Sequence, residues 1–342
     1  MGLAPEGPAR AVAAVRSAVR ASLCDFAPGD LVLVACSGGA DSLALAAATA
    51  AESRKAGLLA GAVTVDHGLQ NGSAERAAAV AATCHDLELD PVEVATVVVG
   101  SAGGPEAAAR DARRTALLEV ARRTGALAVL LGHSLDDQAE TVLLGLARGS
   151  GARSLGGMAP VSGPGGIFVR PLLDLPRSVL ARACAELGLE PWTDPHNTDP
   201  RYARVRVRAR VLPVLEAELG PGVAAALVRT AALLRADADA LDAWAADATA
   251  QVTQREPGQL SVNALEKLPT AVRRRVLRSA AISAGAPAGS LGAAHVAAVD
   301  ALLTSWHGQG PLDLPGGVRA SRVCDSLLLW TSSTSPGTSQ GS

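Results

Sequence analysis

Six consecutive residues, Ser37-Gly38-Gly39-Ala40-Asp41-Ser42, carry the clearest chemical signal in the chain. They follow a short apolar run over residues 31–36 and open an Ala- and Leu-rich stretch, so a buried strand delivers a glycine pair to the start of a helix. The unpaired backbone N–H groups and the dipole of such a start attract phosphate. Gly38 and Gly39 let the backbone approach an anion closely, and Ser37 and Ser42 add hydroxyl donors. Asp41 is unfavourable beside bare phosphate, which points to a magnesium ion between its carboxylate and a pyrophosphate. The loop lacks the lysine of a kinase-type phosphate loop, and the G-x-G-x-x-G dinucleotide pattern is absent.

Four further groups lie downstream. Asp66 and His67 end a second apolar run, where ligands sit in a doubly wound sheet, although such residues also cap ordinary turns. Glu106, Arg110 and Arg113 have the spacing of one helix face, which a solvated charged face also explains. His133 precedes a helix start at Asp136, Asp137 and Glu140. Asp137 and Glu140 stand three apart, so both carboxylates point one way, either as dipole partners or as a seat for an ammonium group or magnesium. Last come Trp192-Thr193-Asp194-Pro195-His196-Asn197, Tyr202, and an arginine series at 201, 204, 206, 208 and 210.

These groups need a scaffold, and the chain supplies one. Strand-like runs near 31–36, 61–65, 92–99, 126–131 and 167–169 alternate with helical patterns near 42–54, 73–87, 105–123, 136–147 and 176–187. The alternation predicts an α/β class: a doubly wound, mostly parallel sheet covered on both faces. After residue 189 the pattern turns helical, with a long Ala-rich stretch over 223–252 and a terminal hairpin over 312–330. The expected division is a catalytic domain over 1–219, a smaller and mainly helical domain over 220–330, and a disordered Ser/Thr/Gly tail over 331–342.

Composition narrows the function classes. The formal charge is -2, so polyanion contacts must be local, and the arginine series and Arg273, Arg274, Arg275 and Arg278 are the two clusters present. With only 2% aromatic residues there is no platform for stacking bases along a strand. The five cysteines form no C-x-x-C pair, which fits a reducing compartment and speaks against a zinc site. No uncharged apolar run reaches membrane-spanning length, and the N-terminal residues do not read as a secretory signal, so a cytoplasmic location and no membrane partner are expected. No pattern encodes an oligomeric state.

The loop resembles the S-G-G-x-D-S pattern of the pyrophosphatase-loop ATPases, which split ATP between the α- and β-phosphates. Taken together, the five groups, in order over about residues 31–215, are similar to those of the tRNA(Ile)-lysidine synthetase family. Two positions depart from its pattern: Arg114 stands where Tyr is usual, and Val205 where Asn is usual. The resemblance implies ATP and Mg2+ as cofactors, and tRNA(Ile) with a CAU anticodon and free L-lysine as partners. It implies adenylylation of the wobble cytidine, then displacement of AMP by lysine. It places ATP at Ser37, Gly38, Gly39, Ala40, Asp41 and Ser42, with Asp66 and His67 nearby, and metal at Asp41 and Asp137. It makes Asp41, Arg110, Arg113, His133, Asp137 and Glu140 the catalytic set. The alternatives are another pyrophosphatase-loop enzyme, such as a tRNA thiolase or an amide-forming enzyme, or a nucleotide sensor without catalysis. A thiolase needs a pair of neighbouring cysteines, and the spacing shows none.

Overall fold

The computed structural model describes residues 9–66, 68, 72–97, 105–194, 198–254 and 258–331. The chain forms two compact units, Met1–Leu234 and Arg235–Ser342. The loop at Gly220–Gly222, with which the smaller domain was expected to begin, precedes a helix, Val223–Val252, that runs through the division.

In the first unit the strands are β1 (Leu31–Ala35), β2 (Leu59–Asp66), β3 (Val92–Thr96), β4 (Ala128–Leu131), β5 (Val161–Ser162) and β6 (Phe168–Val169). They form one sheet in the order β3-β2-β1-β4-β6-β5. All pairings are parallel except β5 with β6. Helices α1 (Ala9–Leu23), α2 (Ala40–Ala56), α3 (Ser73–Asp86), α4 (Pro105–Thr124), α5 (Leu135–Ala147), α6 (Ala152–Leu155) and α7 (Arg177–Glu186) accompany it.

The two-residue period of a strand explains why the expected parallel sheet forms. Val32 and Val34 of β1, with Ala128 and Leu130 of β4, enter one core with α1, α2 and α7. Leu33, Ala35, Val129 and Leu131 enter the other, with Leu117, Val120 and Ala121 of α4. Helix α1 buries Ala11, Val15, Val19 and Leu23, one residue per turn. Its polar edge meets α2 through a buried carboxylate. Glu52 accepts hydrogen bonds from Arg16 at 2.6 Å and Arg20 at 2.7 Å, and Lys55 lies 3.7 Å away.

After β3 the chain returns past β1 to start β4, so the strand order reverses between β1 and β4. A crevice opens at the carboxyl ends of strands at such a reversal. The phosphate loop leaves β1 and the Gly132-His133-Ser134 turn leaves β4, so both land there. Gly132 allows the approach, because a Cβ on it would lie 3.2 Å from the Asp41 backbone.

The first unit ends with α8 (Ala203–Arg206), a π-helical turn over Val207–Val211, α9 (Leu212–Leu219) and the start of α10 (Val223–Val252). Val207, Leu212 and Val228 pack with Ala139 of α5, which fixes the arginine series beside that helix.

The second unit adds an element that the sequence shows only in part. The expected terminal hairpin is present as β9 (Val318–Val323) and β10 (Ser326–Thr331), joined by β8 (Leu312–Leu314) and by β7 (Gln259–Ser261) into an antiparallel sheet ordered β7-β10-β9-β8. Helices α11 (Val262–Glu266), α12 (Thr270–Ser283) and α13 (Ala293–Thr304) share its core. Thus the smaller unit combines helices with a sheet.

Candidate active site

The loop from β1 to α2 has the geometry of an anion cradle. Gly38 adopts φ +81°, open to glycine, and a Cβ there would lie 2.6 Å from Val80 Cγ2. Gly39 precedes α2 in extended conformation with no side-chain cap, which leaves the first N–H groups of the helix free for a ligand. Ser42 braces the loop from within: its hydroxyl accepts from Ser37 N at 3.2 Å and donates to Gly39 O at 2.9 Å. Trp192 N donates to Gly38 O at 2.9 Å, so the segment after α7 is tied to the loop.

Beside the loop lies a cavity of about 530 Å³, lined among others by Ser37, Gly38, Gly39, Asp66, Arg113 and Trp192. That volume suits a nucleotide-sized ligand. Arg76 closes one side, its guanidinium 4.3 Å from the Trp192 ring centre. Arg113 is half-buried and makes no hydrogen bond or ion pair among the described residues. Burial, and then neighbouring Arg110, pull its pKa down from the usual arginine value. A desolvated cation with no counter-ion among the described residues suits an anionic ligand. Asp66 accepts a hydrogen bond from Gly68 N at 2.9 Å, holding the turn at the end of β2. His67 lies outside the described residues, as do Pro195, His196 and Asn197.

The carboxylates of Asp41, Asp137 and Glu140 form a second group that does not line this cavity. Ser134 caps α5: its backbone N–H donates to Asp137 Oδ2 at 2.9 Å and its hydroxyl donates to the same oxygen at 3.0 Å. Asp137 Oδ1 faces Arg177 Nη2 at 2.6 Å. Glu140, fully buried, receives Arg208 at both oxygens, at 2.6 Å and 3.2 Å. Arg208 also lies 3.5 Å from Asp137 Oδ1, so the two acids of α5 do share a face. Asp41 Oδ2 meets Arg177 Nε at 3.3 Å, while Asp41 Oδ1 is buried without a partner.

The protonation states follow from these surroundings. Burial, reinforced by Asp137 and Asp136, raises Asp41 to about 6 although Arg177 pulls it down. Burial also works against the charge on Asp137, but Arg177 and Ser134 outweigh it and leave its pKa below the usual value. Burial takes His133 down to about 3, helped by Arg113, Arg170 and Arg110 against the pull of Asp137, so its imidazole is neutral. His133 Nδ1 is buried with no hydrogen-bond partner.

Arg177 is the residue that sequence patterns did not flag. It opens α7 directly after Pro176 and looks there like an ordinary charged first-turn residue. The fold brings it in: Leu135 N donates to Leu175 O at 2.9 Å and Arg177 N donates to Asp136 Oδ2 at 2.7 Å, which locks the start of α7 against the start of α5.

Of the arginine series, Arg208 is engaged with Glu140, and Arg204 donates to Thr141 Oγ1 at 3.1 Å. The fold does bring two cysteines together: Cys36 and Cys84, distant in sequence and both buried, influence one another, the Cys36 thiol pulled down to about 7 and the Cys84 thiol pushed up. Arg114, one of the two atypical residues, lies 5.2 Å from the Phe168 ring centre, a cation–π contact.

Fold and site together define a pyrophosphatase-loop nucleotide-binding protein. A PP-loop domain family matches residues 14–215, and a TilS substrate binding domain family matches residues 260–325. Curated tRNA(Ile)-lysidine synthases match nearly end to end. The protein of Thermobifida fusca is 59% identical, covering 94% of this chain and 98% of its own length. That of Streptomyces coelicolor is 55% identical, covering 94% and 99%. A solved U34-tRNA thiolase from Methanococcus maripaludis shares the fold at a TM-score of 0.54, with 21% identity, covering 66% of this chain and 80% of its own. The chain belongs to the tRNA(Ile)-lysidine synthase family, and it is an ATP-using ligase by that membership.

Proposed function

We propose that this protein joins free L-lysine to the wobble cytidine of a tRNA(Ile) with a CAU anticodon, consuming ATP and releasing AMP and pyrophosphate. The observation that carries the chemistry is a phosphate cradle whose own carboxylate, Asp41, keeps a buried oxygen without a partner. That oxygen also fits magnesium. Among the described residues no group of three or more acidic, His or Cys side chains is assembled as a complete metal cage. Magnesium needs none when one or two carboxylates act together with phosphate oxygens and water. Asp41 is the first ligand in this reading. Asp137, whose oxygens both have partners, joins only if Arg177 withdraws. Magnesium there would neutralise phosphate charge.

The side chains act as follows. Backbone N–H groups at Gly38, Gly39 and Ala40, with the Ser37 hydroxyl and the brace from Ser42, hold the phosphates. The cytidine O2 attacks the α-phosphorus, the bond to the β-phosphate breaks, and Arg113, which lines the cavity, takes up the charge of departing pyrophosphate together with Arg110. Asp137 and Glu140 receive an ammonium group of lysine. The side-chain amine, once its ammonium form has given a proton to solvent, attacks the activated C2, and the carbon–oxygen bond to AMP breaks. Neutral His133 directs its unpartnered Nδ1 to the adenylate or the base. Asp66 borders the nucleotide, and residues 220–330 contact the tRNA, in accord with the substrate-binding family matched over residues 260–325. No single described helix is long and apolar enough to cross a membrane, and a tRNA substrate implies the cytoplasm.

The test is mass spectrometry of nucleosides from a CAU-anticodon tRNA(Ile) transcript incubated with protein, ATP and lysine. Lysidine is expected only when all are present. AMP formation without lysidine would move the protein to another pyrophosphatase-loop activity, and no AMP at all would make it a sensor.

A further inference from the structure

Arg177 joins the two halves of the site. Its Nε lies 3.3 Å from Asp41 Oδ2, its Nη2 2.6 Å from Asp137 Oδ1 and its Nη1 3.6 Å from Glu140 Oε1. One planar fork thus spans carboxylates from the phosphate loop and from α5, with each nitrogen turned to a different acid. The side chain is 27% exposed, so it is sheltered but has room to leave. Both ligands assigned to these acids, magnesium at Asp41 and an ammonium group at Asp137 and Glu140, are cations. The cation that bridges the two seats in this structure is Arg177.

We infer that Arg177 is a positioning residue that holds the cation seats of Asp41 and Asp137 until the substrates load, so that metal–ATP and lysine each gain a carboxylate by displacing the same guanidinium, while Arg208 keeps Glu140 oriented. The inference rests on the proposed roles of those acids. Its physical content is competition. A carboxylate that binds the guanidinium is less available to a metal, and removing the guanidinium frees it. Loading is coupled for the same reason. Once a metal takes Asp41, Arg177 loses one of its three partners and yields Asp137 more readily, which is a positive coupling between the two substrates.

A purely structural arginine predicts the opposite sign, because losing it would loosen the acids and weaken cation binding. The measurement is Mn2+ binding by electron paramagnetic resonance in the presence of α,β-methylene-ATP, which excludes turnover. Arg177→Ala is expected to bind Mn2+ about tenfold more tightly than wild type, the size of one charge-assisted hydrogen bond. Arg177→Lys, which keeps a charge but cannot span three acids, is expected to fall between. If Arg177→Ala does not fold, Arg177→Lys alone must still bind more tightly than wild type. Unchanged or weaker Mn2+ binding in the folded variants overturns the inference. Asp41→Asn separates this from failure of the underlying assignment: if it leaves Mn2+ affinity unchanged, Asp41 is not a metal ligand and the inference falls with it. If Asp41→Asn loses Mn2+ while the Arg177 variants gain nothing, the inference alone fails.

Discussion

At the scale of single residues, Asp41 shows a carboxylate held at a cost. Its value of about 6, against an ordinary 3.8, means that the folded protein binds a proton there that the unfolded chain has released. Between these values stability falls as pH rises, and above about 6 the cost is complete, about 3 kcal/mol at most. Asp41→Asn is therefore expected to raise the unfolding midpoint of the ligand-free protein at pH 7.5 by several degrees, with the gain gone by pH 4, while AMP formation nearly ceases. Calorimetry at the two pH values together with an AMP assay checks this, and a lowered midpoint at pH 7.5 would mean the carboxylate stabilises the fold. The same shift predicts that the magnesium concentration needed for half-maximal rate climbs as pH drops through about 6, because protons then compete for the carboxylate. A flat requirement from pH 5.5 to 8 would remove Asp41 from the metal site. Asp41 was legible in the sequence because a carboxylate inside a glycine loop is anomalous. Arg177 was not legible, since it meets Asp41 across 136 residues and carries no local anomaly.

At the scale of elements, what the sequence showed follows from how each element is buried. Strands β1 and β4 are covered on both faces, so they read as continuous apolar runs. Strands β5 and β6 have two residues each, too short for any period, and β5 and the three-residue β7 were not visible at all. The proximity of Cys36 to Cys84 was also hidden, because α3 reaches the loop only through the fold. The contact of α1 with α2 had the same fate, because the residues that make it stand 32 and 36 apart in sequence. Glu52 at that contact is 2% exposed and is drawn down to about 2, first by the Arg20 hydrogen bond and then, against burial, by Arg16. A depressed carboxylate stabilises the fold above its unfolded value of 4.5, and that contribution disappears as pH falls toward 2. Glu52→Gln is expected to cost about 2 kcal/mol at neutral pH, modest for a buried pair because Arg20 is largely exposed. Urea unfolding at pH 7 and pH 3 tests this: the difference between variant and wild type should narrow at the lower pH, and an equal difference at both would assign the loss to packing.

At the scale of the whole molecule, the question is how a chain of net charge -2 holds a polyanion. The two arginine clusters that stand out in the sequence are largely spent inside their own units. In the second unit Arg273 and Arg274 share Asp300, Arg275 pairs with Asp242, and Arg278 donates to the carbonyls of Leu291 and Ala288. In the first, Arg201 pairs with Asp199, Arg206 donates to the carbonyls of Pro200 and Arg201, and Arg208 secures Glu140. An arginine that binds a phosphate leaves a signature, because removing each such arginine lowers the slope of log affinity against log salt by roughly 0.7–0.9. The double variant Arg204→Ala, Arg208→Ala is therefore expected to keep the wild-type slope for tRNA binding. It should lose stability instead, by about 3 kcal/mol, because Glu140 is left as a buried charge without its bidentate partner. It should also need more lysine for half-maximal rate, since Glu140 is then without the guanidinium that orients it. Filter binding from about 50 to 200 mM salt, with thermal unfolding of the same samples, separates the outcomes. A slope lower by roughly 1.4 or more at unchanged stability, the equivalent of two arginine–phosphate pairs, would mean that both arginines turn outward to the tRNA when it binds. The pairs with Thr141 and Glu140 would then describe only the tRNA-free protein.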